Sequence, residues 1–184
     1  MKHFIFDEQT LQETARYWVD SGIKTELDDD LIELNEQFFE TIQVENQYGD
    51  FLKREKKTTY IGLCKDGSDF PDVIVGVSYH RRGREKTFKI LDIYVSPYLV
   101  SLVNKEYDEL YEEYLIFLVQ KFLDETDTLG SATKIYARTT FTKAFIDMLH
   151  SAADKSKEQF EAAGIEVRFE GQRWLAFNRK SQIK

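Results

Sequence analysis

A single cysteine and only two prolines occur in 184 residues, and no hydrophobic run is long. One thiol, Cys64, cannot form an internal disulfide. Its apolar neighbours predict a small buried hydrophobe rather than a nucleophile, and the lack of disulfide chemistry leads us to expect a cytoplasmic protein. The longest purely apolar stretches are four or five residues, far below the roughly 18 needed to cross a bilayer, so no membrane span is expected. Met1 to Phe6 starts with a positive charge and apolar residues, but Asp7 and Glu8 follow at once and no small-residue cleavage site appears. No signal peptide is expected.

Positive charge is also scarce. The formal net charge is −8 with a pI near 5.0, which disfavours nucleic acid or an anionic membrane as partner, because both need a positive surface field. The nine glycines form no Gly-x-x-x-x-Gly-Lys-Ser/Thr loop, no Gly-x-Gly-x-x-Gly turn and no Gly-x-Ser-x-Gly elbow, and His-Glu-x-x-His is absent as well. His3, His80 and His150 are not spaced with each other or with Cys64 as metal ligands are, so no metal site is expected.

What remains is a globular composition with 42% hydrophobic and 32% charged residues, sized for one domain over residues 1–184. Phe4 to Phe6 predicts a short strand. Leu11, Ala15, Trp18 and Val19 then recur on one helical face, with Gly22 placed to end the helix. Asp28 to Asp30 predict an acidic cap ahead of a second helix with Leu31, Leu34, Phe38 and Ile42 on its stripe. Three β-rich runs follow: Thr58–Cys64, Val73–Tyr79 and Phe88–Val95, separated by Gly-containing turns at Gly67 and Gly83 and expected to form an antiparallel meander. The clearest helix carries Tyr107, Leu110, Tyr111, Tyr114, Leu115, Leu118 and Phe122 on one face. Lys134 to Thr139 predicts a strand, Phe141 to Ala163 a helix stopped by Gly164, and Glu166 to Glu170 with Arg173 to Asn178 a hairpin about Gly171. The expected fold is thus α/β (α+β), a mixed, mostly antiparallel sheet of six or seven strands flanked by four helices.

This element order, β-α-α-β-β-β-α-β-α-β-β, resembles that of the GNAT N-acetyltransferase superfamily over nearly the whole chain. Val73-Ile74-Val75-Gly76-Val77 looks like the family's third strand. Leu91 to Pro97 resembles its fourth strand running into a Val-x-Pro exit, and Ala163-Gly164-Ile165 sits where the family usually has Gly-Phe. The resemblance implies acetyl-coenzyme A as cofactor and an amine, on a small molecule or a protein, as acceptor. It implies that backbone groups at and after Val95 hold the cofactor. The family's Arg/Gln-x-x-Gly-x-Gly/Ala segment falls on Val100, Val103 and Lys105, with Asn104 between the last two, and none of the three positions matches. Glycines there let amides reach a pyrophosphate, whereas two β-branched side chains and Glu106, Asp108 and Glu109 oppose it.

A family-type base implies Asp92, which lies on the fourth strand between Leu91 and Ile93. The Tyr that the family often uses as acid is missing from the helix after the fifth strand, leaving His150 as the substitute. Simpler roles compete at each position: Asp92 as a solvated carboxylate, His150 as a surface residue, and Arg81-Arg82-Gly83-Arg84 as a charged hairpin tip that blunts a sheet edge. Two functions stay open, an acyl-coenzyme A-dependent N-acyltransferase and a catalytically inactive module that binds a protein partner or a second copy of itself.

Overall fold

The computed structural model describes residues 1–26, 29–45, 57–102, 104–127, 130–138 and 140–180. Its elements are β1 (Lys2–Ile5), α1 (Glu8–Lys24), α2 (Asp29–Glu45), β2 (Thr58–Cys64), β3 (Val73–Arg82), β4 (Glu85–Val95), α3 (Pro97–Ser101), α4 (Asn104–Glu125), β5 (Ala132–Tyr136), α5 (Thr140–Lys155), α6 (Lys157–Ala162), β6 (Ile165–Glu170) and β7 (Trp174–Arg179). Seven strands form one sheet in the order β1-β2-β3-β4-β5-β7-β6. Every neighbouring pair is antiparallel except β4 and β5, which run parallel. The mixed α/β class and the meander match the expectation.

Each face of the sheet has its own core, as a buried sheet requires. On one face the α4 stripe closes over β2 to β5: Tyr114, Leu118 and Phe122 are fully buried against Val75, Phe88 and Ile135, and Ile146 of α5 joins them. On the other face Trp18 of α1 and Phe38, Phe39 and Ile42 of α2 cover Tyr60 and Ile74. Trp18 is wholly buried and donates its indole N–H to the Pro71 carbonyl at 2.9 Å, so its one polar atom is satisfied.

Six helices are present among the described residues, where four were expected. The first addition, α3, arises because Ser96 caps it, its hydroxyl accepting from the Leu99 N–H at 3.1 Å, with Pro97 at the first helical position. Proline has no N–H to leave orphaned there and its φ suits a helix. The second arises because the Phe141 to Ala163 segment breaks at Ser156 into α5 and α6. Gly164 follows with φ at +68°, as a helix-terminating glycine should.

Gly22 does not end α1, which continues to Lys24. A Cβ there would lie 3.3 Å from Ile32 and 3.6 Å from Pro97, so the glycine serves close helix packing. Asp28 of the expected cap lies outside the described residues, as does Thr139 at the expected end of β5.

Gly62 sits on β2 between its neighbours β1 and β3, and an added Cβ would meet Pro71 at 2.7 Å and Phe4 at 3.2 Å. The proline ring cannot swing away as a long side chain would. Gly62→Ala is expected to destabilise the protein by about 1–3 kcal/mol through overpacking. Urea denaturation would show this as a lower midpoint at unchanged slope, and an unchanged or raised midpoint would refute it.

Candidate functional site

The pairing of β4 with β3 is irregular at one point. Gly76 pairs with Asp92 but Val77 pairs with Ile90, which makes Leu91 the extra residue of a β-bulge. A bulge shifts the alternation of side chains. Before it, Phe88 and Ile90 point into the α4 core; after it, Ile93 and Val95 pack on that same core while Tyr94 joins the α1/α2 core. Asp92 follows Tyr94: its Cβ and the Tyr60 ring both border Gly76.

The bulge coincides with the end of the parallel ladder. β4 and β5 pair only from Thr87↔Ala132 to Ile90↔Ile135. Beyond that the β5 chain keeps to β7, the Ala137 N–H donating to the Arg173 carbonyl at 2.7 Å. β4 continues to Val95, so among the described residues no strand pairs with its β5-facing edge after Ile90.

One ion pair spans this gap. Arg138, two residues past β5, places Nη1 2.5 Å from Asp92 Oδ1, with the carboxylate side chain 12% and the guanidinium 63% exposed. The hydrogen bond and the charge of Asp92 raise the Arg138 pKa beyond its ordinary value. Asp92 Oδ2 carries no bond from a described residue. Asp92 thus has a charged partner that no local pattern around it announces.

The segment after Val95 differs from a phosphate-holding loop. The Leu99 N–H is bonded to Ser96 Oγ, that of Val100 to the Ser96 carbonyl and that of Leu102 to the Leu99 carbonyl. These amides are engaged within α3 and its caps. Val95 is half-buried against the α4 core, and the Val100 side chain is 43% exposed. Val103 lies outside the described residues. Asn104 and Lys105 begin α4, and their side chains also lie outside the description.

Beneath α3 lies a buried polar knot. Asp72, 8% exposed, accepts from Tyr114 Oη at 2.5 Å, and its carbonyl accepts from the Ser96 N–H at 2.8 Å. Burial raises the Asp72 pKa above the usual carboxylate value and the Tyr114 hydrogen bond offsets only part of that. Burial and the same carboxylate also push the Tyr114 phenol upward.

The remaining candidates take ordinary roles. His150 Nδ1 is 3.4 Å from Asp154 Oδ2 one turn along α5, and its ring packs on Phe169 with centroids 4.7 Å apart. The Arg81 to Arg84 turn is the β3–β4 hairpin tip, with Gly83 at φ +63° and Arg81 Nε bonded to the Gly83 carbonyl at 2.9 Å. Cys64 is buried and its thiol pKa is raised, chiefly by that burial. No group of three or more His, Cys, Asp or Glu able to hold a metal exists among the described residues, and no described helix is long and apolar enough to cross a membrane.

The mixed, mostly antiparallel seven-stranded sheet with helices on both faces agrees with the fold class expected from the sequence. No protein-family model matches the sequence, and no curated protein is detectably similar to it. A solved structure described as "a probable acetyltransferase" shares 13% identity and superposes with a TM-score of 0.40, covering 76% of this chain and 81% of that one.

The Asp72 knot gives a test in pH. A folded-state pKa above the unfolded value means that the native protein holds more protons in between, so stability falls as pH rises from about 3.8 through the folded value. Asp72→Asn keeps an acceptor for Tyr114 but cannot ionise. Its stability relative to the parent should therefore improve as pH rises from about 4 to 7, read from urea midpoints. A difference independent of pH would show that burial does not govern this carboxylate.

Proposed function

We propose that this protein transfers an acetyl or longer acyl group from an acyl-coenzyme A to an amine. The observation that carries the reading is the β5-facing edge of β4 after the Leu91 bulge, which no strand among the described residues pairs. An open strand edge offers backbone donors and acceptors to an extended ligand, in the manner of an added strand. Such a strip fits the amide-containing arm of acetyl-coenzyme A, with Leu91 to Val95 as the holding residues. Bound there, the cofactor would supply the reactive thioester. Its diphosphate fits less well at α3, where the amides of Leu99, Val100 and Leu102 are already bonded. The first turn of α4, at Asn104 and Lys105, is left for it, because a helix start has unpaired N–H groups and Lys105 supplies a positive charge against Glu106, Asp108 and Glu109.

The transfer would join the amine nitrogen to the acyl carbon, break the carbon–sulfur bond to release coenzyme A as a thiolate that takes a proton from water, and free one proton from the amine. Asp92 takes that proton through Oδ2, while Arg138 holds Oδ1 and fixes the carboxylate's direction. The acceptor is a small-molecule or protein amine. Acyl-coenzyme A use and the single buried cysteine both suit a cytoplasmic setting.

The bonded amides of α3 favour a second reading, an inactive GNAT-fold module. In it the same strand edge, or the outer strands β1 and β6, would bind a protein partner or a second copy in a homodimer.

Thermal unfolding with and without acetyl-coenzyme A separates the two. A ligand at 100 times its Kd adds about 2.7 kcal/mol of stability, so a clear rise in Tm is expected. No rise at millimolar cofactor would remove the transferase reading and leave the module. Asp92→Asn should cost about 1 kcal/mol of stability or less, since the pair is partly exposed, but lower turnover by roughly 100-fold or more. Undiminished turnover would exclude Asp92 as the base.

A further inference from the structure

The Asp92–Arg138 pair borders a second feature that neither reading uses. An open cleft of about 700 Å³ lies between the end of β5, α5 and the β6–β7 hairpin, lined by Arg138, Lys143, Phe169, Gly171, Gln172 and Arg173, among others. Three of these are cationic and none of the described lining residues is acidic, in a chain whose net charge is −8.

The three cations differ in how far they are neutralised. Lys143 pairs with Asp147 one turn along α5 and lies 5.1 Å from the Phe169 ring centroid. That ion pair is exposed and easily exchanged for a stronger partner. Arg138 spends Nη1 on Asp92, which leaves the rest of a five-donor fork without a described partner. Arg173 meets no carboxylate among the described residues, its Nη1 lying 3.4 Å from Tyr136 Oη. Arg138 and Arg173 therefore present guanidinium donors, the geometry that suits a carboxylate.

Resting on the transferase reading, we infer that this cleft binds the carboxylate of the acceptor, so that the amine substrate is an amino acid or the like. Arg173 and the Arg138 donors that have no described partner take the carboxylate, Lys143 adds charge, and the ammonium turns toward Asp92. Because Arg138 touches both Asp92 and the cleft, one guanidinium links the place where the acceptor is recognised to the place where its proton is lost.

Matched probes test this without any cofactor. N-acetylated leucine, phenylalanine and glutamate are compared with their C-terminal carboxamides, which match them except for the terminal charge, by calorimetric titration. At least one acid is expected to bind tenfold or more tightly than its carboxamide. Arg173→Gln should lose most of that preference, and Lys157→Gln on α6 should keep it, with circular dichroism confirming that both variants are folded. No binding by any acid, equal binding by acid and carboxamide, or binding of inorganic phosphate alone would overturn the inference.

Thiol release from acetyl-coenzyme A is measured separately, with free amino acids and with simple alkylamines. Faster release with amino acids supports the inference. Equal release with alkylamines would overturn it while leaving the transferase reading in place. Carboxylate binding without release under any condition would instead remove the transferase reading and leave an anion-binding module.

Discussion

The site depends on one extra residue. Leu91, inserted in β4, changes which face each later side chain serves, so that the same strand supplies Phe88 and Ile90, then Ile93 and Val95, to the α4 core while turning Asp92 and Tyr94 the other way. Without it, simple alternation from Ile90 would send Asp92 into the apolar face beneath α4, where an ionised carboxylate is costly to bury. The bulge therefore satisfies packing and chemistry together. The parallel ladder with β5 ends at the same place, and Arg138 bridges the gap beyond it.

The exit of β4 is held as firmly as its bulge. Asp72, at the entry to β3, binds the first residue past β4 through Ser96 and reaches α4 through Tyr114. Three elements far apart in sequence thus meet at one buried residue. That arrangement stabilises α3 in its position, and α3 in turn uses amides that a phosphate-binding loop would leave free. The competition between a well-capped helical turn and an anion site is a local one, decided by Ser96 and Pro97.

Much of the architecture was legible because periodicity reports burial. Leu110, Tyr111, Tyr114, Leu115, Leu118 and Phe122 of the predicted α4 stripe are all buried, the Tyr107 side chain lying outside the described residues, and the β2 run Thr58–Cys64 keeps its predicted bounds. Gly22 misled because a glycine near a helix end signals termination, whereas here it admits Pro97 and Ile32. α3 escaped notice because five residues carry too little periodicity, although Ser96 before Pro97 is a capping signal. The site was less legible than the fold. Asp92 could be singled out from its strand, but Arg138 is 46 residues away and Arg173 further still. An ion pair between distant segments leaves no trace in local spacing, and a cleft between strand ends belongs to no single segment.

The strand order has a consequence for how the molecule comes together. β7 lies between β5 and β6 although it follows both in the chain. While a nascent chain has emitted only β1 to β5, the β7-facing edge of β5 has no neighbour, and the apolar wall that Leu175 and Phe177 provide is missing. That half of the sheet is completed only when β7 pairs with β5, with β6 outermost. Its long-range contacts make the step slow relative to hairpin formation. Until then the molecule exposes a strand edge of the kind that invites association with other chains.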